Sequence, residues 1–502
     1  MKILVYKFLL SECLEEWVYV LIAGASGAAL IGRNSDGWQM MALHFNLKDV
    51  FFLCVVLAGW HLSLPWTLGL AAAYFVGVLV YLRRQGEDIY SDAVFAAAFL
   101  MNLWYVLASW GNVRQYDYYN FLMHADYFLQ HGFFIEAPLG YLQSVYFQPP
   151  LWGLVSALTA KLCMMLGGDF AAGFDSVRFI SLFCVSGAGI LFWRLAGALN
   201  IGEKVKFWLF TLFCFFPAQG IAANLVNNDA AVYFLMTAMM YIGYQWYIGG
   251  RWRDALALSG LLLAAGLVKF SGLMMLPALG VLGLFRLFQT KDKLAFALWG
   301  QFAVIGLGAA LGFAWGWFLL MYDFPLVPPP VGNAYQDLSG YTLADRLFGL
   351  TKAAEPFAEV RAGGAEPNVW LALLKTSLFG EWRWKGEVWA YLLYILGGIA
   401  ALLLVVSFFL LLRRKFGQEW GFNAFAITLA FTVLAAWMNF WLTYKYFCSS
   451  EFRYVMILLP LSFLWLGNSL TQKSLPKPME RILAGGVVLM IIARFMLYLN
   501  TI

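Results

Sequence analysis

Long, uninterrupted apolar runs recur along the whole 502-residue chain, and they constrain its fold more than any other feature. Runs such as 92–110, 229–248 and 388–412 match the roughly 20 residues that a helix needs to cross a bilayer. They show no alternation of polarity, and backbone groups in lipid must bond internally, so the runs predict helices. The sequence therefore predicts an all-α polytopic integral membrane protein with about 12–14 transmembrane helices.

Basic residues gather in short clusters between the apolar runs, and this pattern predicts the orientation of the chain. By the positive-inside rule these clusters lie in the cytoplasm, so the lipid bilayer, not nucleic acid, accounts for the net charge of +5. Two long segments, 111–147 and 321–387, then become extracytoplasmic loops carrying short amphipathic helices. Two apparent crossings between 148 and 203 would leave Lys204 outside, so we expect one of them to be re-entrant or only partly inserted.

The chain is predicted to have four parts. Residues 1–90 form N-terminal membrane helices, residues 91–320 a membrane core, residues 321–387 an extracytoplasmic loop and residues 388–502 C-terminal membrane helices. Six cysteines are scattered singly as small hydrophobes, and no ligand spacing supports a metal, although a divalent metal stays open. No glycine pattern of a nucleotide or dinucleotide site is visible, and we predict no cofactor.

The loop 111–147 concentrates acids, histidines and aromatic residues. Asp117, His124 and Asp126 are its acid–base candidates, and helical spacing would put Asp117 and His124 on one face with Asp126 well round from them. The alternative is that the acids only make an exposed loop soluble. The aromatic rings suit stacking on sugars, and they suit equally the bilayer interface. Gln148 precedes two prolines that open the next membrane helix.

Three polar positions interrupt the later apolar runs. Asp229 follows a run of asparagines, Lys269 divides a long apolar stretch, and Arg453 lies in a short loop on the predicted outer side. Charges at membrane depth indicate function by default, and Lys269 and Arg453 suit a lipid phosphate. The alternatives are a helix cap for Asp229, snorkelling for Lys269, and a simple ion pair of Arg453 with Glu451.

The order of these motifs resembles the bacterial membrane glycosyltransferases of the GT-C superfamily. An acidic loop, an H-x-x-Y run, a QPPL helix start, an Asn-Asp-Ala start, a Lys-Phe-Ser break and a late Arg-Tyr carry the resemblance. It covers residues 92–290 well and the first 90 not at all. The family includes dolichyl-phosphate-mannose-protein mannosyltransferase-like and aminoarabinose-transferase-like enzymes.

The resemblance implies transfer of a sugar from a polyprenyl-phosphate donor to a glycan, lipid or protein acceptor. The transfer would take place on the outer face of the inner membrane and would invert the anomeric centre. Asp117 occupies the place of the family acid that deprotonates or positions the acceptor hydroxyl. Tyr118 stands where many members have a second acid, which leaves His124 or Asp126 to supply that group. The implied substrate-binding and lipid-phosphate-binding residues are Lys269, Arg453, Arg114, Asp229, Tyr118 and Gln148.

Two other classes of protein fit the membrane setting. A transporter or a lipid-linked sugar flippase would use charges at mid-membrane and often internal repeats, whereas the charges here gather at the outer side and no repeat is visible. A non-catalytic assembly protein would have no need of Asp117, His124, Lys269 and Arg453 on one side. The sequence therefore favours the transferase.

Overall fold

The computed structural model describes residues 42–59, 64–109, 115, 117–131, 148–289, 296–321, 336–358, 365–412, 420–471 and 477–501. Within these ranges the structure is helical and contains no β-strand beyond an isolated bridge between Asp337 and Tyr446. The all-α prediction is confirmed for this part of the chain. Several parts of the prediction lie outside the described residues. They are Arg114, the part of the loop 111–147 after residue 131, and most of the N-terminal segment.

The described residues of the first half of the chain form ten helices. They are α1 (Leu47–Gly59), α2 (Leu64–Arg84), α3 (Tyr90–Ala108), α4 (Tyr118–His131), α5 (Pro150–Met165), α6 (Phe170–Asp175), α7 (Val177–Ala198), α8 (Glu203–Phe215), α9 (Pro217–Ala223) and α10 (Asp229–Gly249). Proline opens α5 and α9 in the first turn, where its missing N–H leaves no bond unmade.

Ten more helices lie in the part of the second half that the structure describes. They are α11 (Trp252–Val268), α12 (Met275–Gln289), α13 (Phe296–Gly312), α14 (Ala314–Met321), α15 (Leu343–Phe348), α16 (Val369–Phe379), α17 (Glu387–Leu412), α18 (Trp420–Thr443), α19 (Leu458–Thr471) and α20 (Lys477–Thr501). Short 3₁₀ turns cover Phe270–Met274, Phe447–Ser450 and Phe452–Tyr454. Helices α15 and α16 belong to the second predicted loop.

Seven stretches of the described chain are long and apolar enough to cross a membrane, and two bent helix pairs raise the number to nine. The seven contain α2, α3, α6 with α7, α12 with the turn before it, α17, α18 and α20, and the bent pairs are α8–α9 and α13–α14. The chain is therefore a multi-pass membrane protein. The predicted number of about 12–14 transmembrane helices is reached only if α1, α10, α11 and α19 also cross the membrane. These four helices are shorter or less apolar than the candidate spans.

The helices run between two ends of the bundle that differ in charge. Helix α3 begins shortly after Arg83 and Arg84, and α11 begins beside Arg251 and Arg253, so these arginines mark one end, the basic end. Lys204 and Glu480 pair there at 3.5 Å. Helices α3 and α11 finish at the opposite end, the site end, where the polar residues of interest meet.

The first predicted outer loop is followed by only one crossing, because α5 stays at the site end. Its Trp152 Nε1 donates to the Val226 carbonyl at 2.8 Å, which lies just before α10. After α6 the chain is again at the site end, where Arg178 Nη1 donates to the Val106 carbonyl at 2.6 Å, near the end of α3. Helix α7 alone then reaches the basic end, so Lys204 lies where its charge predicts.

Labelling of introduced cysteines tests this orientation. We expect Asn120→Cys, at an exposed position of α4, to react with a membrane-impermeant thiol reagent in intact cells. Arg84→Cys, exposed at the basic end, should react only after permeabilisation. The wild-type protein is the control, because its described cysteines are buried or half-buried. If Arg84→Cys but not Asn120→Cys were labelled in intact cells, the orientation of the chain would be the opposite of the predicted one.

Candidate functional site

Six charged side chains from separate parts of the chain meet at the site end and form what we call the ionic cluster. Its members are Asp117, Asp229, Lys269, Glu381, Glu451 and Arg453. They come from the start of α4, the start of α10, the break after α11, the turn after α16 and the segment before α19. The chain thus brings four carboxyl groups and two cations together at the end of a largely apolar bundle.

Arg453 is the centre of the ionic cluster. Its Nη1 lies 2.5 Å from Asp117 Oδ2 and 3.6 Å from Asp229 Oδ2, and its Nε lies 2.7 Å from Glu451 Oε2. A planar guanidinium with five donors can contact several carboxylates at once, which an ammonium group does less well. The contact with Asp117 joins residues that are 336 positions apart in the chain.

Lys269 and Asp229 form the second ion pair of the cluster. Asp229 is the first residue of α10, where the positive end of the helix dipole favours a carboxylate. Lys269 has extended backbone geometry at the break between α11 and the following 3₁₀ turn, and its side chain pairs there with Asp229. Its Nζ also lies 5.4 Å from the centre of the Tyr454 ring, within cation–π range.

Glu381 and Glu451 are neighbours in the cluster, and their carboxyl groups are in hydrogen-bonding contact. Burial raises the pKa of both carboxyl groups, and that of Glu451 rises well above its usual range although Arg453 opposes the shift. Burial would lower the pKa of Arg453, but the carboxylates around it, Glu451 first, raise it instead. Arg453 is therefore cationic throughout the physiological range.

A cavity opens beside the cluster. Five of the six cluster residues line it, and Lys269, which pairs with Asp229, does not. Gln115 and Asn224 extend the polar wall, while Ile221, Phe379 and Trp382 belong to the apolar wall. The cavity thus combines fixed charges with an apolar wall, as ligand sites commonly do.

His124 and Asp126 are not brought into the cluster. His124 is buried against α5, so close that a Cβ on Gly153 would lie 2.7 Å from its Nδ1, and burial lowers its pKa to about 4. Asp126 accepts a hydrogen bond from Gln130 at 2.7 Å on the exposed side. Asp117 lies directly before α4 and its carboxylate turns to Arg453, whereas His124 packs against α5, so the expected shared cleft is not formed.

The other predicted residues have structural contacts. Tyr118 is buried edge-to-face against Phe174, with ring centres 5.2 Å apart. Gln148 accepts a hydrogen bond from the Asn228 side chain at 3.1 Å and so ties the start of α5 to that of α10. Neither lines the cavity, and Arg114 lies outside the described residues.

Sequence reasoning missed Glu381 and gave Glu451 only the role of an ion-pair partner for Arg453. Glu381 lies in the second predicted extracytoplasmic loop, 321–387. The sequence contained one signal for Glu381. It is a single acid directly after Gly380, at the end of a predicted amphipathic helix. In the described part of the chain no three acidic, histidine or cysteine side chains are arranged to hold a metal ion, and the Arg453 guanidinium itself lies among the carboxylates.

The cavity wall formed by α9 depends on Arg494, a fully buried residue of α20. Arg494 donates to the Phe215 carbonyl at 2.9 Å and to the Asn102 side chain at 2.6 Å. The bend of 46° between α8 and α9 leaves such carbonyls without a helical partner. Gly220 of α9 faces this arginine, and a Cβ there would come within 2.1 Å of its guanidinium.

Comparison of the chain with protein-family models and with curated protein sequences finds no match. The geometry of the cluster and its cavity therefore carries the functional interpretation.

The contact of α9 with Arg494 predicts the effect of a single added methyl group. We expect Gly220→Ala to destabilise the purified protein by about 1–3 kcal/mol, because neither Arg494 nor the helix can move away without breaking buried hydrogen bonds. Gly260→Ala, in the middle of α11 with open space around it, is the matched control and should stabilise by about 0.5–1 kcal/mol. Thermal unfolding followed by tryptophan fluorescence measures both. A melting temperature of Gly220→Ala equal to that of the wild type would contradict the close contact between Gly220 and Arg494.

Proposed function

We propose that this protein is a GT-C-like glycosyltransferase that moves a sugar from a polyprenyl-phosphate donor to an acceptor on the outer face of the inner membrane, with inversion. One observation carries the proposal: the ionic cluster surrounds a cavity at one end of a membrane-helix bundle, beside the segments that join the helices. A lipid-linked donor needs such a site, since its phosphate stays at the membrane surface while its sugar enters a polar cavity.

Asp117 is the residue that we assign to the acceptor hydroxyl. Its side chain is 33% exposed and lines the cavity, so an acceptor can reach its carboxylate. Arg453 binds one carboxylate oxygen at 2.5 Å and thereby orients the group. A carboxylate held in this way can take the proton of a hydroxyl as that oxygen attacks the anomeric carbon, and a single displacement inverts the centre.

Arg453, which lines the cavity, is assigned to the leaving phosphate, and Lys269 is assigned as a second cation that acts from its pair with Asp229 at the cavity wall. Negative charge grows on that phosphate as the bond to the sugar breaks, and cations that are already in position stabilise this charge best. The carboxylates of Asp229 and Glu451 hold both cations near the cavity before a donor arrives. Trp382 also lines the cavity, and an indole ring at this position can pack on a sugar ring.

A transporter or lipid-linked sugar flippase is the alternative, and it differs in what the purified protein can do. A transporter moves a substrate between two compartments, so it has no assayable product in detergent solution. A transferase forms a new glycosidic bond there. The site favours the transferase because its charges lie at one end of the bundle, whereas transporter sites lie near the midplane.

The first test combines loss of the protein with a change at Asp117. Mass spectrometry of cell-envelope glycolipids and glycans should show a missing sugar increment in cells without the protein. The wild-type gene should restore it, and Asp117→Asn should not, with transfer by the detergent-purified variant reduced at least about 100-fold. Normal membrane insertion of the variant is required. Full transfer by Asp117→Asn with loss in Asp126→Asn would move the base to Asp126.

The second test addresses Lys269. We expect Lys269→Ala to raise the KM for the lipid-linked donor at least about tenfold with little change for the acceptor, because a charged contact to phosphate is lost. Removing the lysine leaves Asp229 buried without its partner, so the double variant Lys269→Ala/Asp229→Asn is measured in parallel. An unchanged donor KM in both variants would contradict the phosphate role of Lys269.

A further inference from the structure

We infer that Glu381 and Glu451 share one proton, and that this carboxyl pair is a positioning element that holds Arg453 and the cavity wall in place for an anionic donor. The part of the inference that concerns the donor rests on the proposed function. The shared proton itself rests only on the arrangement of the side chains.

The two oxygens of Glu451 have different surroundings. Its Oε2 lies 2.7 Å from Arg453 Nε as an ion pair, without the geometry of a hydrogen bond, and its Oε1 is closed off from solvent and has no hydrogen-bond partner among the described residues. The Glu381 carboxyl group is its hydrogen-bonding neighbour. Two ionised carboxylates are both acceptors and repel each other at this range, so the contact requires a proton on one of them.

The charges around the pair support the same conclusion. Arg453, Asp117, Cys448 and Tyr454 face the pair, and Asp229 and Lys269 lie beyond Arg453. With every carboxyl ionised, the cluster would hold four carboxylates against two cations, a formal charge of −2. One shared proton removes half of that excess, which favours the approach of a phosphate.

The pair also joins two segments of the cavity wall. Glu381 follows Gly380, whose φ of +67° turns the chain sharply after α16, and Glu451 immediately precedes the turn that carries Arg453. A second link lies beside it, since the Phe452 N–H donates to the Thr376 hydroxyl at 2.9 Å. Loss of the proton would push Glu381 away from Glu451 and loosen the wall on which Arg453 is held.

Burial raises the pKa of both carboxyl groups, so the direction of the pH effect is defined. The pair keeps its proton above the ordinary titration range of a glutamate and loses it as the pH rises through its elevated pKa. Donor use should therefore fall on the alkaline side. A glutamine at position 381 can donate permanently to Glu451 and cannot lose that donor with pH.

Infrared spectroscopy of the full-length protein in lipid nanodiscs tests the proton directly. We expect wild type to show a protonated-carboxyl band at neutral pH that disappears at alkaline pH and is missing in both Glu381→Gln and Glu451→Gln. Glu387→Gln, an exposed glutamate six residues further on, is the matched control and should keep the band. Absence of the band in wild type, or its survival in both pair variants, would overturn the inference, whether or not the protein transfers sugars.

The pH profile of sugar transfer tests the positioning role. We expect Glu381→Gln to stay active at neutral pH and to move its alkaline decline upward by about one pH unit or more. Glu381→Ala, which can make no such hydrogen bond, should raise the donor KM at neutral pH while thermal unfolding confirms that it folds. An unchanged alkaline decline in Glu381→Gln would remove the positioning role and leave only a structural proton. Complete absence of transfer in wild type would contradict the proposed function instead.

Discussion

The contacts of Arg453 with three carboxylates are the interaction on which the site depends. They join the start of α4, the start of α10 and the segment before α19, which are far apart in the chain. Taking such charges out of water costs several kcal/mol for each ion, and only a nearly complete set of contacts offsets that cost. Removal of Arg453 would leave the buried carboxylates around it without that cation, so the cluster constrains the ends of several helices together.

Other buried arginines solve a related problem for the backbone. Arg178 donates to carbonyls at the end of α3, and Arg494 donates to carbonyls at the bend between α8 and α9. Helix ends and bends leave carbonyl oxygens without intrahelical partners, and in an apolar surrounding those oxygens need other donors. Both arginines thus stabilise irregular backbone next to the cavity, where straight helices alone could not form its walls.

The proposed chemistry and the inferred shared proton follow from the same excess of carboxyl groups over cations. Lys269 and Arg453 are held by carboxylates, which fixes their positions but leaves negative charge beside the cavity. A proton on the Glu381–Glu451 pair lowers that charge and keeps Arg453 anchored. The site would then exchange some carboxylate contacts for contacts with phosphate, without a large movement of the cations.

The sequence by itself determined the helical membrane class and most helix positions, and it singled out Asp117, Lys269 and Arg453 as candidates, because apolar runs and isolated charges are local properties. It did not determine which acids meet these cations. That choice depends on distant contacts: Asp117 reaches Arg453 across 336 positions, and Glu381 belongs to the cluster only because α16 ends beside the 451–454 segment. Tertiary structure also separated His124 from Asp117, since His124 packs against Gly153 of α5 while the carboxylate of Asp117 reaches Arg453.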